Sequence, residues 1–272
     1  MRKERIDVLL VEKGLCETRE KAKAAVMAGL VYVGTERCDK PGTKLPEDVA
    51  LTVKGEVHPY VSRGGLKLEK AIREFGVDLQ EKVMMDIGAS TGGFTDCALQ
   101  HGARLVYAID VGYGQLAWSL RQDSRVVVME RTNFRHLDPA QFEHEMPDFA
   151  SIDVSFISLR LILPVLYQFL KQGGEVLALV KPQFEAGKEN VGKNGIVRDP
   201  EIHRDVIVSI LSFAQTIGFE LVGLSYSPIT GGEGNIEFLL HARKSTGPMQ
   251  DLDTTWMTKI DQVVNDAHKH LK

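Results

Sequence analysis

A doubly wound, mainly parallel α/β sheet preceded by a small α+β module is the fold class this chain predicts, and three observations carry it. Two apolar runs stop at an ionisable residue, Ser151-Ile152-Asp153 and Leu177-Ala178-Leu179-Val180-Lys181, as buried parallel strands do where they reach a ligand crevice. A third run, Val83 to Ile87, contains Asp86 and opens at once into a glycine-rich turn and a helix. The 272 residues, 43% hydrophobic and 26% charged, then leave room for one further small module.

The elements follow in order. Ile6, Leu9 and Leu10 give a first helix its apolar face, and Gly14 ends it. Thr18 is a suitable N-cap for a second helix with Ala22, Ala25 and Val26 inward, and Gly29 supplies a left-handed cap before the strand Leu30-Val31-Tyr32-Val33. Arg19 and Lys23, four apart, share an exposed face of that helix. Residues 54–63 read as a linker punctuated by Gly55 and Pro59. Leu66, Lys70 and Arg73 have helical spacing, so Lys67 by itself reads as an exposed lysine on a connecting helix.

Next comes the buried strand Val83 to Gly88, the turn Ala89-Ser90-Thr91-Gly92-Gly93-Phe94, and a helix running to His101 and capped by Gly102. Glycines there let a ligand lie against backbone N–H groups, and the spacing is not G-x-G-x-x-G, which argues against a dinucleotide. The next strand, Arg104 to Ile109, ends in Asp110, 24 residues after Asp86. An acid there can accept both hydroxyls of a ribose, so the ligand is expected to be an adenosine compound without a pyrophosphate. Thr132-Asn133-Phe134, after the strand Val126 to Met129, is placed to meet the adenine edge. Residues 182–198, directly after Lys181, form either an ordinary mobile loop or one that closes over substrate with Lys188, Lys193 and Arg198 near phosphate. Glu237 lies at the start of the last strand, in GNIEFLL, and Trp256, Ile260, Val263, Val264, Ala267 and Leu271 have the spacing of a helix docked on the sheet.

Composition narrows the function classes. The apolar stretch Val8 to Val11 is too short for a signal peptide or a membrane span, so a cytoplasmic protein is expected. Cys16, Cys38 and Cys97 form no C-x-x-C pair and the eight histidines no ligand-like cluster, so neither disulfides nor a metal site is expected. The net charge of −4 is uneven: residues 1–74 hold 15 Lys+Arg against 12 Asp+Glu, which leaves 18 against 25 for the remainder. The basic side is N-terminal.

Lys67, Asp153, Lys181 and Glu237 all fall where strands of one sheet begin or end. Two lysines and two carboxylates beside a cofactor turn are suited to removing a proton from a weakly acidic hydroxyl. Lys181 is the candidate base: a second cation, Lys67, and partial desolvation favour its neutral form, while Asp153 and Glu237 orient the ammonium groups. Each of the four taken alone reads as an ion pair. Exocyclic nitrogen is a poor target, because Asp153 is followed by Val154-Ser155-Phe156 and not by the Pro-Pro-aromatic turn of amino methyltransferases. Base C5 chemistry needs a thiolate at this edge, and Cys97 lies within the first helix of the domain.

The N-terminal residues Arg5-Ile6-Asp7 with Leu10, Gly14, Thr18-Arg19, Ala22 and Ala25, then Gly29 to Gly34 and Lys40-Pro41-Gly42, resemble the S4 RNA-binding module. That resemblance implies RNA contact through Arg5, Arg19 and Lys23, with Arg63 following the module, and structural roles for Ile6 and Asp7. Asp86-Ile87-Gly88 to Gly92-Gly93 with Asp110 resembles S-adenosylmethionine-dependent methyltransferases of the FtsJ-like type. In this order the motifs resemble the TlyA (hemolysin A) family of ribosomal RNA 2′-O-methyltransferases. The resemblance implies a Rossmann-like domain with a seven-stranded sheet over residues 61–245, an S4 domain over 1–60 and a C-terminal helical segment over 246–272. It further implies S-adenosyl-L-methionine held by Asp86, Gly88, Ser90, Thr91, Gly92, Gly93, Phe94, Asp110 and Asn133, a Lys67-Asp153-Lys181-Glu237 tetrad, and methylation of a cytidine ribose in ribosomal RNA or ribosomal subunits. Two other classes stay open: a membrane-active hemolysin, and a catalytically silent RNA-binding assembly factor.

Overall fold

The computed structural model describes residues 3–27, 29–54, 58–245, 247 and 251–271. The chain divides into two compact units, Met1–Arg63 and Gly64–Lys272. Gly55 of the expected linker lies outside the described residues.

The first unit runs β1 (Lys3–Arg5), α1 (Ile6–Glu12), α2 (Arg19–Met27), β2 (Val31–Val33), β3 (Glu36–Cys38), β4 (Lys44–Pro46) and β5 (Leu51–Val53). The Thr18 hydroxyl accepts from the Lys21 N–H at 3.2 Å, so it caps α2. Ile6, Leu10, Ala22, Ala25, Val26 and Val31 close a small core between the two helices and the antiparallel sheet β3-β2-β5. At this size each small alanine matters, because it lets α1 and α2 approach closely.

The second unit contains α3 (Gly65–Phe75), β6 (Val83–Ile87), α4 (Gly93–Gln100), β7 (Leu105–Ile109), α5 (Trp118–Arg121), β8 (Val126–Met129), β9 (Phe149–Ile152), α6 (Leu163–Phe169), β10 (Glu175–Val180), α7 (Pro182–Glu185), α8 (Pro200–Ile217), β11 (Phe219–Tyr226), β12 (Phe238–Lys244) and α9 (Thr254–His270). Its strands form one seven-stranded sheet in the order β11-β12-β10-β9-β6-β7-β8. β6 to β10 pair in parallel, and β12 runs antiparallel to both β10 and β11. The central strands are apolar along their whole length because helices cover both faces. The order reverses between β6 and β9, and such a reversal opens a crevice beyond the carboxyl ends of the strands.

α8 starts at Asp199, whose carboxylate accepts from the Glu201 N–H, with Pro200 in the first turn, and it stops at the left-handed Gly218. α9 buries Ile260, Val264 and Ala267 in the main core, as the C-terminal periodicity predicts. Among the described residues no helix is long and apolar enough to cross a membrane.

Candidate active site

Four elements deliver four ionisable side chains to the crevice edge. Parallel strands β9 and β10 end there, which places Asp153 and Lys181 side by side; β12 runs the opposite way, so its beginning brings Glu237 to the same edge. Lys67 comes from the first turn of α3. Its ammonium lies 3.0 Å from Asp153 Oδ2 and 2.8 Å from Glu237 Oε2. Lys181 Nζ lies 2.6 Å from Asp153 Oδ1, 3.4 Å from the Ser155 hydroxyl and 3.9 Å from Glu237 Oε1. The result is a closed ring of alternating charge, with Lys67, Lys181 and Glu237 buried.

The two lysines are not equivalent. Burial works to lower the Lys67 pKa, but Asp153 and Glu237 together outweigh it and hold the ammonium above the ordinary lysine range. Lys67 is therefore the fixed cation of the ring. Burial likewise pushes the Asp153 carboxyl up, and the two lysines outweigh it and hold Asp153 below the usual carboxylate range. Lys181 has one short carboxylate contact and a hydroxyl neighbour, so it is the less tightly held of the pair. Lys67 is not the exposed lysine that its helical spacing alone suggests.

The glycine turn abuts this ring. Gly88 has φ +87, and a Cβ on it would come within 2.5 Å of the Asp153 carbonyl oxygen, so no side chain fits between the turn and the tetrad strand. Gly92, at φ +97, packs under Leu116 and Leu120, where a Cβ would lie 2.3 Å from Leu120 Cδ1. Asp86 does not face the crevice: it is fully buried and accepts from the Thr95 N–H, the Thr95 hydroxyl and the Ser151 hydroxyl at 3.0, 2.7 and 2.9 Å. Burial pushes this carboxyl up to about 6 against the pull of those donors. It ties β6 to α4 and β9. Gly93 and Phe94 are buried as well, whereas Ser90 and Thr91 are exposed. Asp110 spans two loops, with Oδ2 accepting from the Ser90 N–H at 2.8 Å and Oδ1 from the Gly112 N–H at 2.7 Å.

Residues 60–244 match the FtsJ-like methyltransferase family and residues 4–50 match the S4 domain. The chain is 63% identical over 271 residues to "Putative rRNA methyltransferase YqxC" of Bacillus subtilis (strain 168), covering 100% of this chain and 96% of that protein. It is 42% identical over 246 residues to "16S/23S rRNA (cytidine-2'-O)-methyltransferase TlyA" of Mycobacterium tuberculosis (strain ATCC 25618 / H37Rv), covering 90% and 91% of the two chains. The chain belongs to the TlyA (hemolysin A) family of FtsJ-like methyltransferases. A solved structure titled "Putative hemolysin from Streptococcus thermophilus" superposes with a TM-score of 0.77 at 56% identity, over 99% of this chain and 97% of that one.

As a TlyA-family enzyme the protein takes S-adenosylmethionine as its cofactor. The residues present fit that group: Ser90 and Thr91 are exposed on the glycine turn, and each Asp110 oxygen, used once by the backbone, keeps a lone pair for a ribose hydroxyl. Asn133 is exposed, and its side-chain oxygen is spent on the Arg135 N–H at 3.2 Å, which leaves its amide NH2 to meet a ligand.

Phe156 stands beside this site, and sequence reasoning used it only to exclude another chemistry. It is 91% exposed, has φ +62, and packs against Phe184 with ring centroids 5.0 Å apart. A bulky residue at positive φ is an uncommon backbone state, held here three residues from Asp153. No local signal marks its exposure, because Val154 and Ile157 beside it are apolar as well and Phe156 reads with them as ordinary packing.

In the first unit, Arg5 and Arg19 converge on buried Asp7, at 2.9 and 3.0 Å, and their side chains stay 41% and 50% exposed. The hydrogen bond from Arg5 leads in holding the Asp7 carboxyl down to about 2. Arg19 thus pairs with Arg5 across Asp7, whereas half-buried Lys23 and exposed Arg63 make no ion pair among the described residues. Beyond Lys181, residues 187–190 and 192–195, which include Lys188 and Lys193, are exposed, as is Arg198; the loop's far end is fixed where Val197 N–H donates to Asn235 Oδ1 at 3.1 Å.

Proposed function

We propose that this enzyme methylates the 2′-hydroxyl of a cytidine in ribosomal RNA, with Lys181 as the base. The observation that carries this reading is the tetrad packed directly against the Gly88 turn, which sets a buried ring of two lysines and two carboxylates beside the glycine turn. S-adenosylmethionine, when bound, supplies the methyl group. Lys181, held by Asp153 and next to the Ser155 hydroxyl, takes the proton from the ribose oxygen as it becomes a nucleophile. Lys67 keeps Asp153 ionised and holds both Asp153 and Glu237 in place, so the lysine that must lose its proton has a fixed cation two contacts away. In-line placement does the remaining work, because a poor acid reacts only when its oxygen is held at the methyl group. Ser90, Thr91, Gly92, Asp110 and Asn133 line or shape the cofactor side, and Asp86 keeps the turn in register from behind.

The identities of the relatives support ribosomal RNA as the substrate, since one of them carries 16S/23S rRNA (cytidine-2'-O)-methyltransferase as its name. The match to the S4 domain supports the first unit as the RNA-binding part, with Arg5, Arg19, Lys23 and Arg63 meeting phosphates. Mapping 2′-O-methyl positions in ribosomal RNA from cells with and without the gene tests the proposal. A cytidine that loses its methyl group in the deletion strain, and regains it when the purified enzyme and S-adenosylmethionine are added to subunits, is the expected result. Identical methylation maps, with RNA binding intact, would leave a silent assembly factor; lysis of erythrocytes without S-adenosylmethionine would point to the hemolysin.

A further inference from the structure

We infer that Tyr113 and Arg131 form a second nucleotide-binding station on the crevice edge, which stacks an unpaired base of the RNA that flanks the methylated nucleotide. This inference rests on the RNA substrate proposed above. Tyr113 lies in the loop after β7 and Arg131 in the loop after β8, so both stand at carboxyl ends of parallel strands. The Arg131 guanidinium carbon sits 4.1 Å from the centre of the Tyr113 ring, and the Arg131 N–H donates to the Gly112 carbonyl at 3.0 Å. The backbone bond fixes the two loops to each other, so the stack is assembled before any ligand arrives. Arg131 holds a left-handed backbone, φ +53, to reach this position.

The pair is built to meet something outside the protein. Tyr113 is 69% exposed, and an aromatic ring so open to water has no folding role that requires it there. Arg131 and, four residues on, Arg135 are exposed and make no ion pair among the described residues, while neighbouring Glu130 is already spent on Arg121. An open π-face with unspent guanidinium charge is the combination that holds single-stranded nucleic acid, bases on the ring and phosphates on the cations.

Its place in the sheet assigns the base to a flanking nucleotide. β7, which leads into Tyr113, lies three strands from β10, which leads into Lys181, in the order β10-β9-β6-β7, roughly 14 Å at the usual strand spacing, with the glycine turn between them. The nucleotide whose hydroxyl reaches Lys181 therefore cannot also stack on Tyr113. The adenine of the cofactor is the competing ligand of the same chemistry, because the Tyr113 loop begins at Asp110.

The test uses the full-length enzyme, ribosomal subunits purified from a strain lacking the gene, and S-adenosylmethionine alone. Tyr113→Leu should weaken binding to the subunits about tenfold, within what one base stacked on an aromatic ring contributes. S-adenosylmethionine affinity should stay within about twofold, and Tyr113→Phe should restore subunit binding. Arg131→Gln should lower subunit affinity and reduce the slope of its salt dependence by about one. Tyr113→Leu with wild-type subunit affinity overturns the station. A parallel loss of S-adenosylmethionine affinity overturns it in favour of adenine. Subunits that the wild-type enzyme neither binds nor methylates would overturn the substrate reading and this station together.

Discussion

The two lysines of the tetrad are chemically the same residue in different electrostatic positions. Lys181→Ala removes one short contact from Asp153, yet Asp153 keeps Lys67 at 3.0 Å, so no buried carboxylate is stranded. The expected outcome is a folded protein with cofactor and subunit affinities within a few-fold of wild type and no detectable methyl transfer in single-turnover assays. Activity near wild type would remove Lys181 as the base. Lys67→Ala removes the cation that both carboxylates share, leaving Glu237 only a 3.9 Å contact with Lys181. Breaking a buried pair in this way costs about 3–5 kcal/mol, so denaturant unfolding should show a marked loss of stability that Lys181→Ala does not. Equal stability of the two variants would show that the ring is not held together as its geometry indicates.

At the scale of elements, α9 is joined to α8 through a pair of histidines. The network assigns His203 Nε2 as donor to the Val197 carbonyl at 3.1 Å, which leaves Nδ1 to accept from His268 Nε2 at 3.0 Å. Burial is the main cause, with His268 second, that pushes the His203 imidazole down to about 4, while the hydrogen bond to the Val197 carbonyl and, after it, Asp199 pull the other way. The folded state therefore binds this proton less readily than the unfolded chain, whose histidines titrate near 6.5. The stabilising effect is fully present above pH 6.5 and is lost as the pH falls through 4. Hydrogen exchange, corrected for intrinsic rates, should show α9 less protected at pH 4.5 than at pH 7, and more so than β6 or β9. Equal protection at both values would show that the pair does not hold the helix. Val197 also ends the loop that follows Lys181, so the same histidine fastens both a helix and the segment beyond Lys181.

At the scale of the whole molecule, the two units have opposite charge balance, a basic N-terminal part and an acidic remainder, which is where the proposed RNA contact can be tested. Arg5 and Arg19 are poor positions for testing this by charge reversal, because either change would leave buried Asp7 one arginine and set a second carboxylate beside it, which destabilises the first unit. Lys23 and Arg63 have no such debt. Lys23→Glu with Arg63→Glu should weaken subunit binding, lower its salt slope by about two, and leave S-adenosylmethionine affinity unchanged in the full-length enzyme. An unchanged salt slope would place the RNA on another surface.

The sequence by itself determined the parallel strands, the glycine turn and the acids at strand ends, because each is written in local apolar periodicity, capping and spacing. It named Asp153 and Lys181 from two neighbouring strand ends, and Glu237 from the start of a third strand whose antiparallel direction carries it to the same edge. Only the tertiary structure decided what each residue touches. Asp86 reads like a ligand acid but turns inward to Thr95 and Ser151; Lys67 reads like a solvated helix lysine but is sealed between two carboxylates; Arg19 leaves its helix neighbour Lys23 for Asp7, twelve residues away. Phe156 and the Tyr113 and Arg131 stack were illegible for the same reason. Exposure and partnership depend on residues brought together from distant parts of the chain, and no local pattern encodes them.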